Sequence, residues 1–323
     1  MAAAYRPPRF SPPTLTIGSL VLLWLAGVVV GYAADDGTAA SEHFVSSAEW
    51  ATWVFLAGGS VAVFAVILVL GVRAIVRPHR DWGLVHAPTG RRYGYLGVAA
   101  LFMAALIAFT LTTEPWPAAA DLPVQHPTWR TRGVLLSGYL AAIPWLTLVW
   151  LAHAECARLK AATVDPTPDA ARTESIEETI KELRHLWRLI TYCITVAAIS
   201  IVIAIVTAGA LRAAFIAYAP NRADEFPGSV VLLFGGLFAV LQAAIGLPLV
   251  ATWRARARDL IERAYPLPAD GRPTDAWVAD RARLEALLHL DVPLLRNPLA
   301  ALSIFVPTIT SLLAVVIPDL ANR

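Results

Sequence analysis

LITYCITVAAISIVIAIVTAGAL, residues 189 to 211, runs for 23 positions without an Asp, Glu, Lys or Arg. A helix needs about 20 mostly apolar residues to cross a hydrocarbon layer roughly 30 Å thick. The stretch therefore reads as a membrane span, and it decides the class of fold. Six more charge-free runs of similar length lie at 14 to 34, 51 to 72, 94 to 113, 133 to 153, 229 to 253 and 298 to 318. All 26 Lys and Arg and all 24 Asp and Glu fall outside these seven runs. Such segregation follows from the cost of a bare charge among acyl chains, about 2.5 to 3.5 kcal/mol on the mildest scale. The expectation is an all-α, polytopic transmembrane helix bundle of about seven spans, a single transmembrane domain over residues 1 to 323.

Composition agrees. The 323 residues are 57% hydrophobic and 15% charged, with a mean hydropathy of +0.60, whereas soluble domains hold about 45 to 50% apolar and about 25% charged residues. Two cysteines are too few for a disulfide scaffold, and a net charge of +2 gives no electrostatic footprint for nucleic acid. Membrane lipid is the expected surrounding, and no nucleic-acid partner is expected.

Orientation follows from the basic residues, which membrane proteins retain on the cytoplasmic side. The N-terminal tail and the second, fourth and sixth loops hold 21 of them; the other side holds Arg130, Arg132, Arg212, Arg222 and Arg323. This puts the N-terminus in the cytoplasm and the C-terminus outside. Scarce lysine, with Lys160 and Lys181 alone, and abundant Ala and Arg suggest a GC-rich bacterial genome and hence a plasma membrane. Trp50, Trp53, Trp116 and Trp129 are expected as anchors at outer ends, and Trp150, Trp187 and Trp253 at inner ends. Trp24 and Trp145 fall mid-span and read as packing residues. Gly31-Tyr32-Ala33 has the small residues of a signal cleavage site, but a run of 21 residues exceeds a typical signal core of about 7 to 15. The seventh span, with Pro298, Pro307 and Pro318, has a re-entrant loop as its alternative.

The longer connections form cytoplasmic helical extensions, 155 to 188 and 254 to 296. In the first, a Pro-broken linker, TVDPTPDAA, precedes Ser175 and Glu178, whose spacing makes a capping box. Beyond it Ile176, Ile180, Leu183, Trp187 and Ile190 recur at alternating steps of four and three, continuing through Ile194, Ala197, Ile201, Ala204 and Ala208. That heptad-like seam predicts one long helix rising into the fifth span, with a face for helix association. The sixth span continues as WRARARDLIERAY, and another helix is expected from Asp275 to about Leu290. These pieces would form a helical knob that packs on itself and staples the two spans, or docks a partner.

Chemistry-bearing motifs are sparse. His153-Ala-Glu155-Cys156 has the HxE half of a zinc deaminase site without its PCxxC half. There is no HExxH and no glycine-rich phosphate loop. The seven histidines show no metal-ligand spacing on one helix, and no cofactor is expected. Gln242 is the most polar mid-span group, suited to a hydrogen bond with a neighbouring helix or to a solute path. Pro144, Pro248 and Pro307 remove backbone donors inside spans and allow kinks that frame a cavity. Gly27, Gly31, Gly58, Gly59, Gly235 and Gly236 suit close helix approach. Arg254, Arg256, Arg258 and Arg263 form a juxtamembrane run suited to anionic lipid, at about 1 kcal/mol per residue.

From sequence the leading expectation is a non-catalytic membrane component whose cytoplasmic helices assemble with a second copy or bind a cytoplasmic protein. A permease or channel for an uncharged or lipid-like solute comes next, motivated by Gln242 and the prolines. A lipid-acting membrane enzyme comes third, for want of a cluster of acids or histidines.

Overall fold

The computed structural model describes residues 20–21, 23–25, 27–28, 34–77, 89–113, 117–161, 169–268, 271–290 and 308–313. Every regular element among them is helical. In chain order these are α1 (Ala39–Val45), α2 (Ala48–Val76), α3 (Thr89–Thr112), α4 (Pro127–Ala161), α5 (Asp169–Tyr218), α6 (Gly228–Ala264) and α7 (Asp275–Leu287), with 3-10 turns at Pro117–Asp121 and Pro220–Glu225. Five helices, α2 to α6, are long and apolar enough to cross a membrane. The described parts of the first and seventh predicted spans are helical residues between Leu20 and Val28 and at 308–313. The rest of those two spans, Pro307 included, lies outside the described residues, so seven spans are not established.

Helices α1, α2 and α7 start where the sequence provides a side-chain cap. Ser47 Oγ accepts the Trp50 amide at 3.2 Å at the head of α2, and Thr274 Oγ1 accepts the Trp277 amide at 3.3 Å at the head of α7. At the other end of α2, Arg92 Nη1 donates to the Ile75 carbonyl at 3.4 Å. Helix α5 does not use its expected cap: it begins at Asp169 and carries Ser175 inside. The DAARTE segment before Ser175 is made largely of good helix formers, so the helix starts straight after Pro168 rather than at the Ser175 box. At 50 residues α5 is about 75 Å long. It projects well past a bilayer.

Two compact cores close the ends of the bundle. At the end bearing Asp35, Asp36 and Glu49, here the acidic end, Phe44, Trp50, Trp53, Phe215 and Phe226 pack together. The indoles of Trp50 and Trp53 lie 4.7 Å apart between centroids, with exposures of 1% and 4%. They are core residues rather than the interfacial anchors expected above, because α1 and the Pro117–Asp121 turn fold over them. On the rim, the Thr38 hydroxyl and amide both donate to Asp36 Oδ1, and they hold its carboxyl below the ordinary range.

The opposite, arginine-rich end is closed by the larger core. Leu183, Leu186, Leu189 and Ile190 of α5 meet Leu249, Trp253, Leu260 and Ile261 of α6, with Leu148, Leu151 and Leu159 of α4 and Leu284 of α7. The Trp253 indole donates to the Leu183 carbonyl at 2.9 Å and stacks on Trp187 at 4.5 Å. Arg158 bridges Glu155 at 2.8 Å and Glu182 at 2.7 Å, tying α4 to α5. The two ends are joined by α4 and α5, with α2 against both, α3 on α4 and α6 mainly on α5. Where α2 crosses α5, Ser60 and Thr207 share a buried hydroxyl contact of 2.7 Å. A Cβ on Gly27 would lie 2.6 Å from Gly58 Cα, so the helical residues around Gly27 and α2 touch backbone to backbone as small residues allow.

Candidate functional site

Between the two cores the bundle is not filled. A cavity of about 420 Å³ lies between α3 and α6, backed by α2, α4 and α5, within the range of ordinary ligand sites, about 300 to 1,000 Å³. Its length is set by α4, whose lining residues run from Thr131 to Leu146, about 22 Å of helix. Because α3 rests on α4 and α6 mainly on α5, the two outer helices splay. Phe102, Leu237 and Leu241 line the cavity and are also 53%, 62% and 48% exposed. The cavity therefore opens sideways, onto the flank of the bundle.

The void has a readable cause in residue size. On α5 the seam residues Leu183 and Ile190 are large and fully buried, whereas farther along the same helix Ala197, Ser200, Ala204 and Ala208 line the cavity. Side chains that stop at Cβ or Oγ cannot reach across to α3 or α6. Seven aromatic residues, Trp53, Phe64, Phe102, Tyr139, Trp145, Phe234 and Phe238, supply much of the wall. None of the lining residues is Asp, Glu, His, Lys, Arg or Cys, so the described lining presents no carboxylate, imidazole, amine, guanidinium or thiol. Among the described residues no three His, Cys, Asp or Glu side chains are grouped as metal ligands.

At the wall toward the arginine-rich end, two side chains bind successive carbonyls of α5. The Trp145 indole of α4 donates to Cys193 O, and Gln242 Nε2 of α6 donates to Ile194 O at 3.3 Å. Gln242 is 5% exposed, and its Oε1 is buried without a hydrogen-bond partner. A buried acceptor left so costs about 1 to 3 kcal/mol.

Other candidates from the sequence are dispersed. Pro144 is buried in α4 against Gly71 of α2, outside the cavity lining, although its neighbours Ala141, Ala142, Trp145 and Leu146 are in it. Pro248 is exposed on α6 and also does not line the cavity. Neither proline frames the void. The arginine run divides by helix face: Arg258 is exposed, Arg256 pairs with Asp259 at 2.6 Å, and Arg263 Nε donates to Asp259 O at 3.1 Å. Arg254 is 6% exposed and donates to Leu290 O at 3.2 Å, so it braces the segment after α7 instead of facing lipid headgroups. Of the seam residues, Leu183 and Ile190 belong to the core of the arginine-rich end, and Ile176, Ile180 and Trp187 are partly buried against it. Their partners are residues of this same chain. Glu155 of the HxE segment is 3% exposed and engaged by Arg158, and Cys156 and Cys193 are buried free thiols.

Sequence reading found Gln242 but not the cavity around it. A signal was present in the size change along α5, from Leu and Ile to Ala and Ser; reading it required knowing which helices face that stripe. The chain matches no protein-family model, no curated protein and no solved structure.

Proposed function

We propose that this chain is a multi-pass plasma-membrane protein that takes an uncharged, lipid-like molecule from the bilayer into the cavity between α3 and α6. The lateral opening carries this reading. A cavity that meets the flank of an apolar bundle at Phe102, Leu237 and Leu241 is in contact with acyl chains, and its lining lacks the charges a polar solute would need. An end-to-end channel finds less support, because packed cores close the bundle at both ends. A second copy or a cytoplasmic partner, the leading expectation from sequence, finds less support, because Leu183 and Ile190 of the seam are buried within the chain and Ile176, Ile180 and Trp187 are partly buried against the same core. An enzyme acting at this cavity finds less support, because the described lining presents no carboxylate or imidazole.

Filling the void tests the reading. Full-length protein in nanodiscs, photolabelled with a diazirine-bearing hexadecane, should be labelled at cavity residues, and Ala204→Trp should cut that labelling by about tenfold or more. Ala204 lines the cavity, so the indole has space and avoids the overpacking penalty of a full core. Leu233→Trp, at a position 74% exposed on α6, is the control and should leave labelling unchanged. Equal labelling of parent and Ala204→Trp at the cavity residues would reject the proposal.

In the proposed orientation the arginine-rich end is cytoplasmic, by the positive-inside rule, and Arg258, the exposed member of the run, lies near anionic headgroups. A cysteine at Arg258 should resist a membrane-impermeant maleimide applied to intact cells and react after lysis. Reaction before lysis would reverse the orientation.

A further inference from the structure

We infer that the molecule held in the cavity carries an O–H donor on an otherwise apolar, uncharged body, and that the Gln242 carboxamide receives it. The inference rests on the cavity reading above and adds the chemical class of the ligand.

Polar side chains around the cavity are few, and among the described ones Gln242 Oε1 is the lining atom that is buried without a hydrogen-bond partner. The hydroxyls of Thr131, Ser200 and Thr207 donate to carbonyls of their own helices, at Thr128, Val196 and Ile203. Tyr139 Oη meets Thr110 Oγ1 at 3.3 Å, and the Trp145 indole is bound to Cys193 O. Gln242 differs. Its nitrogen is identified by the Ile194 carbonyl, which can only accept, and this leaves Oε1 as an acceptor with nothing to accept.

What could supply the missing donor is narrowly bounded. Water needs about two to four polar partners to remain in such a place, and here the neighbouring groups are apolar or already paired. A bare acyl chain fills volume and donates nothing. A phosphate or ammonium headgroup would enter a lining without one ionisable acid or base of the Asp, Glu, His, Lys or Arg type. A neutral lipid with a hydroxyl satisfies both the apolar wall and the unpaired Oε1 acceptor: a long-chain alcohol or a quinol. The long 3.3 Å bond to Ile194 is a weak tether.

The test uses the full chain in nanodiscs and competition against the diazirine-bearing hexadecane. Hexadecanol should compete about tenfold better than hexadecyl methyl ether, which has the same chain and no donor. A ubiquinol analogue against its quinone asks the same question of an aromatic body, and preference in either pair supports the inference while identifying the source. In Gln242→Leu and Gln242→Met the preference should fall to within about twofold, with hydrocarbon labelling retained. Equal competition within both pairs in the parent overturns the inference and leaves the cavity reading standing, as does a preference that survives in the folded, labelled variants. If the hydrocarbon probe fails to label the parent cavity at all, the cavity reading itself has failed.

Discussion

Leu183→Asp should unfold the arginine-rich end of the bundle, lowering the melting temperature of the detergent-solubilised chain by about 10 °C or more. Leu183 has no exposed surface, and it lies in the core formed by α4, α5, α6 and α7. An aspartate there would bury an unpaired carboxylate, roughly a 3 to 5 kcal/mol loss when no partner is available; protonating it would still leave a polar group among leucines. The carbonyl of the same residue accepts the Trp253 indole, so a local shift also strips a donor of its acceptor. Leu183→Met, close in volume, should cost less than about 1.5 kcal/mol. Tryptophan fluorescence during thermal unfolding, read beside the monomer's size, separates two meanings of the seam. An intramolecular seam predicts lost stability in the monomer itself. An unchanged melting temperature with loss of a larger complex would mean that the seam serves another chain.

The second large effect is expected at Gly71, and it has a sign as well as a size. A Cβ at Gly71 would sit 2.7 and 2.8 Å from Cβ and Cγ of Pro144, too close for atoms of a rigid ring on one side and a helix backbone on the other. Gly97, in α3, has nothing within 4 Å of the same added atom. Both glycines are inside helices, where Gly→Ala favours the helix by about 1 kcal/mol. Gly97→Ala should therefore stabilise the chain slightly, whereas Gly71→Ala should destabilise it, and Gly71→Leu should cost about 3 kcal/mol or more by forcing α2 away from α4. Melting temperatures of the three variants in one detergent check this. If Gly71→Ala is as stable as Gly97→Ala, the close crossing of α2 and α4 at Pro144 is wrong.

These contacts account for the prolines and glycines more directly than kinking does. Pro144 sits in a socket made by a missing side chain on α2, a role that requires two helices to be placed side by side. From sequence it was a residue that permits a kink framing a cavity. The same limit applies to tryptophan: position near a span end suggested interfacial anchors, but α1 and, from far along the chain, the Pro117–Asp121 turn, Phe215 and Phe226 pack with Trp50 and Trp53.

By itself the sequence determined that the chain is helical and membrane-embedded, because charge is expensive in hydrocarbon and its absence over 20 or so residues can be counted one segment at a time. It also carried the register of α5, since helical periodicity is local. Only the tertiary structure decided what that register faces. The stripe is covered by α6 where its residues are Leu and Ile, and it backs an open void where they are Ala and Ser. A cavity is space left between helices that come together through packing across the chain, and no single segment's composition records the volume that its neighbours fail to fill.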